Sequence, residues 1–200
     1  MWKLEDCKVA FVGLGLIGIL LFASPTLSLI LHLPNEEKFS ELWILGPQHM
    51  AENYPFNVNA NVSYLIYIGV GNHMGSSSYY AVYVKFRNQT EPLPNPTTGT
   101  QSPLPILYEY RVFVQDGQTW EAPLTFSFSN VSFLENKCLV ETLTVNDVTF
   151  RVDKPALWDA NNKGYYYQLF LELWIYDGNA KIFQFHNRFA GIWLNATRRI

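Results

Sequence analysis

The sequence predicts a mainly β protein, in which a single N-terminal transmembrane helix precedes an immunoglobulin-like two-sheet β-sandwich. Three observations carry that prediction. Val9 to Leu33 (VAFVGLGLIGILLFASPTLSLILHL) form the one long, predominantly apolar run without Asp, Glu, Lys or Arg. From Phe39 onward, short stretches alternate apolar and polar residues with period two, as strands with one face on a core do. Turn formers separate those stretches, and aromatic residues make up 16% of the chain, which favours pleated, half-buried surfaces over helices.

The apolar run comes first. A helix rises about 1.5 Å per residue and a bilayer core is about 30 Å thick, so roughly 20 apolar residues cross it. The run divides the chain into a short cytoplasmic tail (1–8), an anchor (9–33) and an extracytoplasmic domain (34–200). Lys3 and Lys8 precede the run, whereas three acids and one Lys follow it in PNEEKFSE. Positive charge stays on the cytoplasmic side, so the C-terminal domain is expected outside the cell membrane. A cleaved signal peptide is the rival reading, and it wants a shorter apolar region ending in a small-x-small site. Here Leu21 stands two residues before Ala23, and Thr26-Leu-Ser28 is a poor substitute, so the anchor is expected to be retained. Pro25 kinks or ends its regular part.

Inside the run, Gly13-x-Gly15-x-x-Gly18 follows Val9–Val12, with Glu36 about 20 residues on, the spacing of a dinucleotide-binding fingerprint. That chemistry needs the glycine turn to open an amphipathic helix packed on a parallel sheet. This segment is apolar all round and no strand–helix alternation follows it, so no cofactor is expected.

The strands follow in order. Ser40–Leu45 is the first and Val62–Val70 the second. Tyr80, Val82, Val84 and Phe86 line a third, with Lys85 and Arg87 opposite. Ile106, Tyr108, Tyr110, Val112 and Val114 line a fourth, with Glu109, Arg111 and Gln115 opposite. Leu124–Phe128, Leu139–Val145, Val148–Val152, Tyr166–Tyr176 and Lys181–Trp193 complete the set. Asp116-Gly117, Asn146-Asp147 and Asp177-Gly178-Asn179 fall between runs and tolerate the positive φ that tight hairpins need. The spacing of the strands predicts a two-sheet sandwich, with a closed barrel as the alternative. Glu91–Pro105 (EPLPNPTTGTQSPLP) interrupts the pattern with five prolines and reads as a long exposed excursion between strands, suited to a neighbour or to O-linked sugar.

Charge and composition exclude some functions. From Pro34 on, 12 Lys and Arg stand against 15 Asp and Glu, and no stretch gathers the basic residues that nucleic acid requires. Cys7 and Cys138 lie on opposite sides of the anchor and cannot pair in one folded chain. Cys138 opens an apolar alternation and is expected buried and inert, while Cys7 beside the membrane is a candidate for acylation. Four sequons, at Asn61, Asn88, Asn130 and Asn195, are candidate N-glycosylation sites on the outer side. There is no G-x-S-x-G, H-E-x-x-H or C-x-x-C, and His49, His73 and His186 lack ligand spacing, so neither catalytic nor metal residues are expected.

Leu45-Gly-Pro47, Glu52-Asn-Tyr-Pro55 and Gly69-Val-Gly-Asn-His73 resemble the opening of a mainly archaeal family catalogued as domain of unknown function 1616, and Tyr167–Leu194 is similar to its ending. The resemblance implies a membrane protein with an extracytoplasmic β-domain and carries over no functional residue. Met74 follows the Asn-His where the family usually has an acid, and one span replaces several.

The expected function is therefore a non-enzymatic, membrane-anchored surface β-domain. It would serve as a structural or accessory subunit of an envelope or membrane complex, with the lipid bilayer and other membrane proteins as partners and glycans as candidate ligands. The alternatives are a pilin-like filament subunit, whose layout also puts an apolar helix before a β-domain, and a carbohydrate-binding module. The second would use surface aromatics such as Trp120, Trp158 and Tyr165–Tyr167.

Overall fold

The computed structural model describes residues 8, 11–19 and 37–198. Residues 11–19 are helical, so Gly13, Gly15 and Gly18 lie in a helix and not in a phosphate-binding turn. The rest of the expected anchor, Cys7 and most of the expected tail lie outside the described residues. Among the described residues no helix is long and apolar enough to cross a membrane. The chain divides into two compact units, Met1–Glu37 and Lys38–Ile200.

The second unit is mainly β. Its strands are β1 (Phe39–Leu45), β2 (Asn57–Asn59), β3 (Tyr64–His73), β4 (Ser78–Asn88) and β5 (Tyr108–Val114), then β6 (Thr119–Leu134), β7 (Lys137–Val145), β8 (Val148–Asp159), β9 (Gly164–Asp177) and β10 (Ile182–Thr197). They form one curled sheet in the order β1-β3-β6-β7-β8-β9-β10-β2, with β4 also pairing β9 and β5 pairing β4. All pairs are antiparallel except β10 with β2.

The curl has a local cause. β8 and β9 share only the pairs Trp158↔Tyr165 and Asp159↔Gly164, so the sheet turns back on itself there. Asp153 adopts a positive φ and Pro155 carries no amide hydrogen, both of which loosen the β8 ladder before the corner. The strands β5-β4-β9-β10 then face β3-β6-β7 across one apolar core. Phe86 of β4 meets Phe128 of β6 at 5.5 Å between ring centroids, and Phe128 meets Tyr167 of β9 at 5.8 Å. The Tyr167 hydroxyl crosses the core to donate to the Cys138 carbonyl at 2.9 Å.

The alternation read from sequence sets which faces turn inward: Tyr80, Val82, Val84 and Phe86 are buried, as are Val114 of β5 and Leu169, Leu171 and Leu173 of β9. Asn146 and Asp147 both have positive φ and make the two-residue β7–β8 hairpin. Asp159 and Asp177 each open a wider turn built the same way. In both, the aspartate side chain accepts two backbone amides, its carbonyl accepts the amide four residues on, and a lysine there (Lys163, Lys181) takes positive φ.

Three features depart from the alternation. The three-residue β2 has no period to reveal it. β6 and β8 run longer than their apolar cores because polar residues continue the ladders, past a positive φ at Asn130 in β6 and a bulge at Asp153 in β8. Lys85 and Arg87, on the face opposite the core, are only 3% and 6% exposed, because another part of the chain covers them.

Candidate functional site

That cover is the Pro/Thr-rich excursion, which forms a strap pinned across the outer face of β4 and β9. Its start is tied to β8: Asn88 Nδ2 donates to the Pro155 carbonyl, Gln89 Nε2 to the Leu157 carbonyl, and Glu91 pairs with Lys154. Its middle sits on a buried ion pair. Lys85 Nζ lies 2.9 Å from Glu172 Oε2 and donates to the Ser102 carbonyl at 2.7 Å. The Ser102 amide donates in turn to Glu172 Oε1 at 2.8 Å, and the Trp174 indole to Oε2 at 3.1 Å. A buried charge pair is tolerated when its remaining valences are met, and here backbone groups of the strap meet them. Pro94 and Ser102 are buried and Gly99 approaches Asn187 on β10, so the segment is exposed over most of its length, as expected, but pinned to the sheet at these points.

The strap leaves two aromatic areas of the outer face uncovered. At one end Tyr79 stacks on Phe113 at 4.2 Å, Phe183 packs against Tyr79 at 5.1 Å, and Tyr176 closes the cluster. Arg111 lies over the Phe183 ring at 5.2 Å, and Phe113 is 73% exposed. At the other end Trp193, Tyr166 and Phe56 surround an open hollow. Trp120, Trp158 and Tyr165–Tyr167 are the surface aromatics expected from sequence. Of these only Tyr166 belongs to either area, since Trp120 and Tyr165 pack against the core, Tyr167 lies within it, and Trp158, though exposed, stands edge-on to Tyr165 at the β8–β9 corner.

A third cluster joins β1 to β10. His186 Nε2 lies 2.9 Å from Ser40 Oγ, which is 2.7 Å from the Tyr80 hydroxyl, and that hydroxyl donates to Asn72 Oδ1 at 3.0 Å. Asn72 also donates to the carbonyls of Ser76 and Val114, tying the end of β3 to the end of the β4–β5 pair where β4 starts and β5 finishes. A serine beside a histidine has the makings of a nucleophile and base, but Ser40 is 1% exposed and its oxygen is shared with Tyr80. The pair can hold the two strands together and offers no approach to a substrate. Burial, with Arg188 nearby, holds the His186 imidazole below its ordinary pKa.

The other histidines stand apart from it. His49 stacks on Tyr67 and contacts Glu121 at 2.5 Å, while His73 stacks on Phe39 near Glu41. Among the described residues no group of three or more His, Cys, Asp or Glu gathers as metal ligands. Cys138 is free and buried, and burial pushes its thiol up, as its place in the alternation predicts.

The four sequons separate into two kinds. Asn61 and Asn130 are exposed, each at a positive φ that turns the chain outward. Asn88 instead uses its side chain to cap the start of the strap, accepting the Thr90 and Glu91 amides. Asn195 accepts the Tyr165 amide and donates to Asn57 Oδ1, so both ends of its side chain are engaged.

No curated protein matches the chain. Among solved structures it is similar to the CARDB domain of a Pyrococcus furiosus protein determined with di-metal ions, at 10% identity over 81% of this chain and 90% of that one, with a TM-score of 0.39. It is also similar to a β-glucosidase from Listeria innocua (7% identity, 80% of this chain, 16% of the enzyme, TM-score 0.40). A third likeness is to a chain of the human seminal-plasma complex of zinc 2-glycoprotein with prolactin-inducible protein (10%, 82% and 99%, TM-score 0.39). In sequence, residues 33–134, half of the chain and the part that carries the Leu-Gly-Pro, Tyr-Pro and Asn-His segments, match one family throughout. The chain belongs to the family described as domain of unknown function DUF1616.

Proposed function

We propose that this chain is a non-enzymatic, membrane-anchored cell-surface β-domain that serves as a structural or accessory subunit of an envelope or membrane protein complex. The observation that carries the reading is the uncovered aromatic cluster of Tyr79, Phe113, Tyr176 and Phe183. A stacked aromatic group beside an arginine has the composition of a binding hot spot, and an apolar patch of this kind is costly to leave in water. The anchor is supported by the uncharged run 9–33 and by the outward apolar side chains of 11–19, among them Phe11 and Leu14. The two lysines before the run favour an extracytoplasmic β-domain. In this reading the curled sheet is an immunoglobulin-like sandwich whose free aromatic end faces a neighbouring envelope protein.

Extraction of native membranes in mild detergent, followed by mass spectrometry of what co-purifies, tests the proposal. The wild type should carry a stoichiometric partner chain that Phe113→Ser loses while keeping its β-rich circular dichroism. A wild type that runs as a lone monomer, or a partner retained by Phe113→Ser, would overturn it.

A further inference from the structure

The second aromatic area has different chemistry. Its hollow, about 300 Å³, is lined by Phe56, Asp159, Asn162, Tyr166 and Trp193, which come from the approach to β2, the β8–β9 turn, β9 and β10. It shares Phe56 and Trp193 with an adjoining groove of about 620 Å³ that also presents Asn53, Tyr54 and Gly191. We propose that this hollow binds a neutral saccharide, a pyranose ring stacking on the aromatic side chains while Asp159 and Asn162 hydrogen-bond its hydroxyls.

Four features favour that occupant. The aromatic wall is set in advance: Arg87, itself buried, backs the Trp193 ring at 5.5 Å, and Phe56 lies 6.0 Å from Tyr166. A fixed ring costs little ordering entropy when a flat, partly apolar ligand settles on it. The polar rim suits hydroxyls, which both give and accept hydrogen bonds. Asp159 Oδ2 accepts from the Asn162 side chain at 2.8 Å, and the amides of Asn162 hold the carboxyl below the usual range, so it remains an acceptor across physiological pH.

Charge narrows the choice further. Asp159 is the one charged residue lining either space and the Arg87 guanidinium lies behind the Trp193 ring, so an anionic ligand would meet repulsion with no cation in the lining to pair with. The groove floor also carries unmet polarity. Gln168, 6% exposed and paired with Trp193 across the ladder, has a buried Oε1 without a partner among the described residues. Its Nε2 lies 3.0 Å from where a Cβ on Gly191 would stand, so the missing side chain leaves an amide beneath the floor. A polar occupant suits an amide donor beneath Gly191 better than a purely apolar one.

The test uses the full chain in detergent, titrated with neutral disaccharides of glucose, mannose, galactose and N-acetylglucosamine and with a uronic-acid disaccharide, read by ligand-observed NMR. At least one neutral sugar should bind. Trp193→Ala should weaken it about tenfold, the loss of roughly one good stacking contact. Tyr166→Ala serves as a second variant, and Trp193→Phe should recover part of the affinity. Phe113→Ser, at the other aromatic area, should leave sugar binding within twofold, so that failure here and failure of the proposed subunit role are read separately. The proposal is overturned if no neutral sugar binds, if the uronic-acid sugar binds as well, or if both Trp193→Ala and Tyr166→Ala keep wild-type affinity.

Discussion

Gly46 occupies a place where a side chain has no room, because a Cβ there would run into the backbone carbonyl of Glu52. The chain leaving β1 folds back tightly: the Gly46 amide donates to the Met50 carbonyl at 2.7 Å, and the Tyr54 hydroxyl to the Ile44 carbonyl at 2.8 Å. Gly69 lies under the Trp43 indole in the same manner, so these family residues are accounted for by close packing. Gly46→Ala should therefore lower stability by about 1–3 kcal/mol, the usual cost of overpacking, seen as a lower urea midpoint. Gly178→Ala, with nothing within 4 Å of its would-be Cβ, should leave the stability within about 0.5 kcal/mol of wild type. The sequons allow a second prediction at this scale. In a host that attaches N-linked glycans, glycopeptide mass spectrometry should find sugar at Asn61 and Asn130 and little at Asn88 and Asn195, whose amides are already engaged. Occupancy concentrated at Asn88 would show that its strap cap does not form before modification.

The strap is the element whose role departs furthest from its sequence. Its prolines announce a segment outside the ladders, and it is outside them, but nothing local reveals that Ser102 seals an ion pair. Lys85 and Glu172 are 87 positions apart, each in the polar phase of an alternating strand, where period-two reasoning assigns solvent. The same reasoning succeeds for the opposite phase, since burial of Val82, Val84, Leu169 and Leu171 follows from pattern alone. The aromatic hollow was hidden for a related reason: its five residues come from separate segments, and only topology gathers them. Glu172→Gln should cost about 3–5 kcal/mol, because it leaves Lys85 charged and buried without its partner. Replacing both by Met and Leu should recover only part of that loss, because the Ser102 amide and carbonyl and the Trp174 indole would then lose their partners. Hydrogen exchange gives a further check: the Ser102 amide should exchange slowly in wild type and far faster in Glu172→Gln, while amides in β6 and β7 keep their protection. Equal protection of Ser102 in both proteins would mean that the strap holds without the pair.

The molecule as a whole has one seam. The curled sheet begins at β1 and has β10 near its other end, and these strands approach each other without pairing; β10 has a strand partner on that side only at 195–197. Along the rest of the seam the His186–Ser40 contact is the described hydrogen bond between them, and behind it stand Tyr80 and Asn72. The contact favours neutral imidazole, since burial and the nearby Arg188 both oppose a second proton. The folded pKa therefore lies below that of the unfolded chain, which is about 6.5. The unfolded state takes up a proton in that interval that the folded state refuses, so stability is full above about pH 6.5 and declines as pH falls toward the folded value. Asp159 and Asp177, also held low by hydrogen bonds to backbone and side-chain amides, lose their contribution only in the more acidic range below about 3.9. Urea midpoints measured from about pH 8 down to about pH 5 should thus fall for wild type and stay nearly flat for His186→Gln, which keeps a hydrogen-bonding side chain but does not titrate. Protection factors of β1 amides, taken relative to the intrinsic exchange rate at each pH, should fall over the same interval in wild type alone, because β1 is the strand that the seam releases. A slope that persists in His186→Gln would place the titrating group elsewhere and leave the seam held by packing.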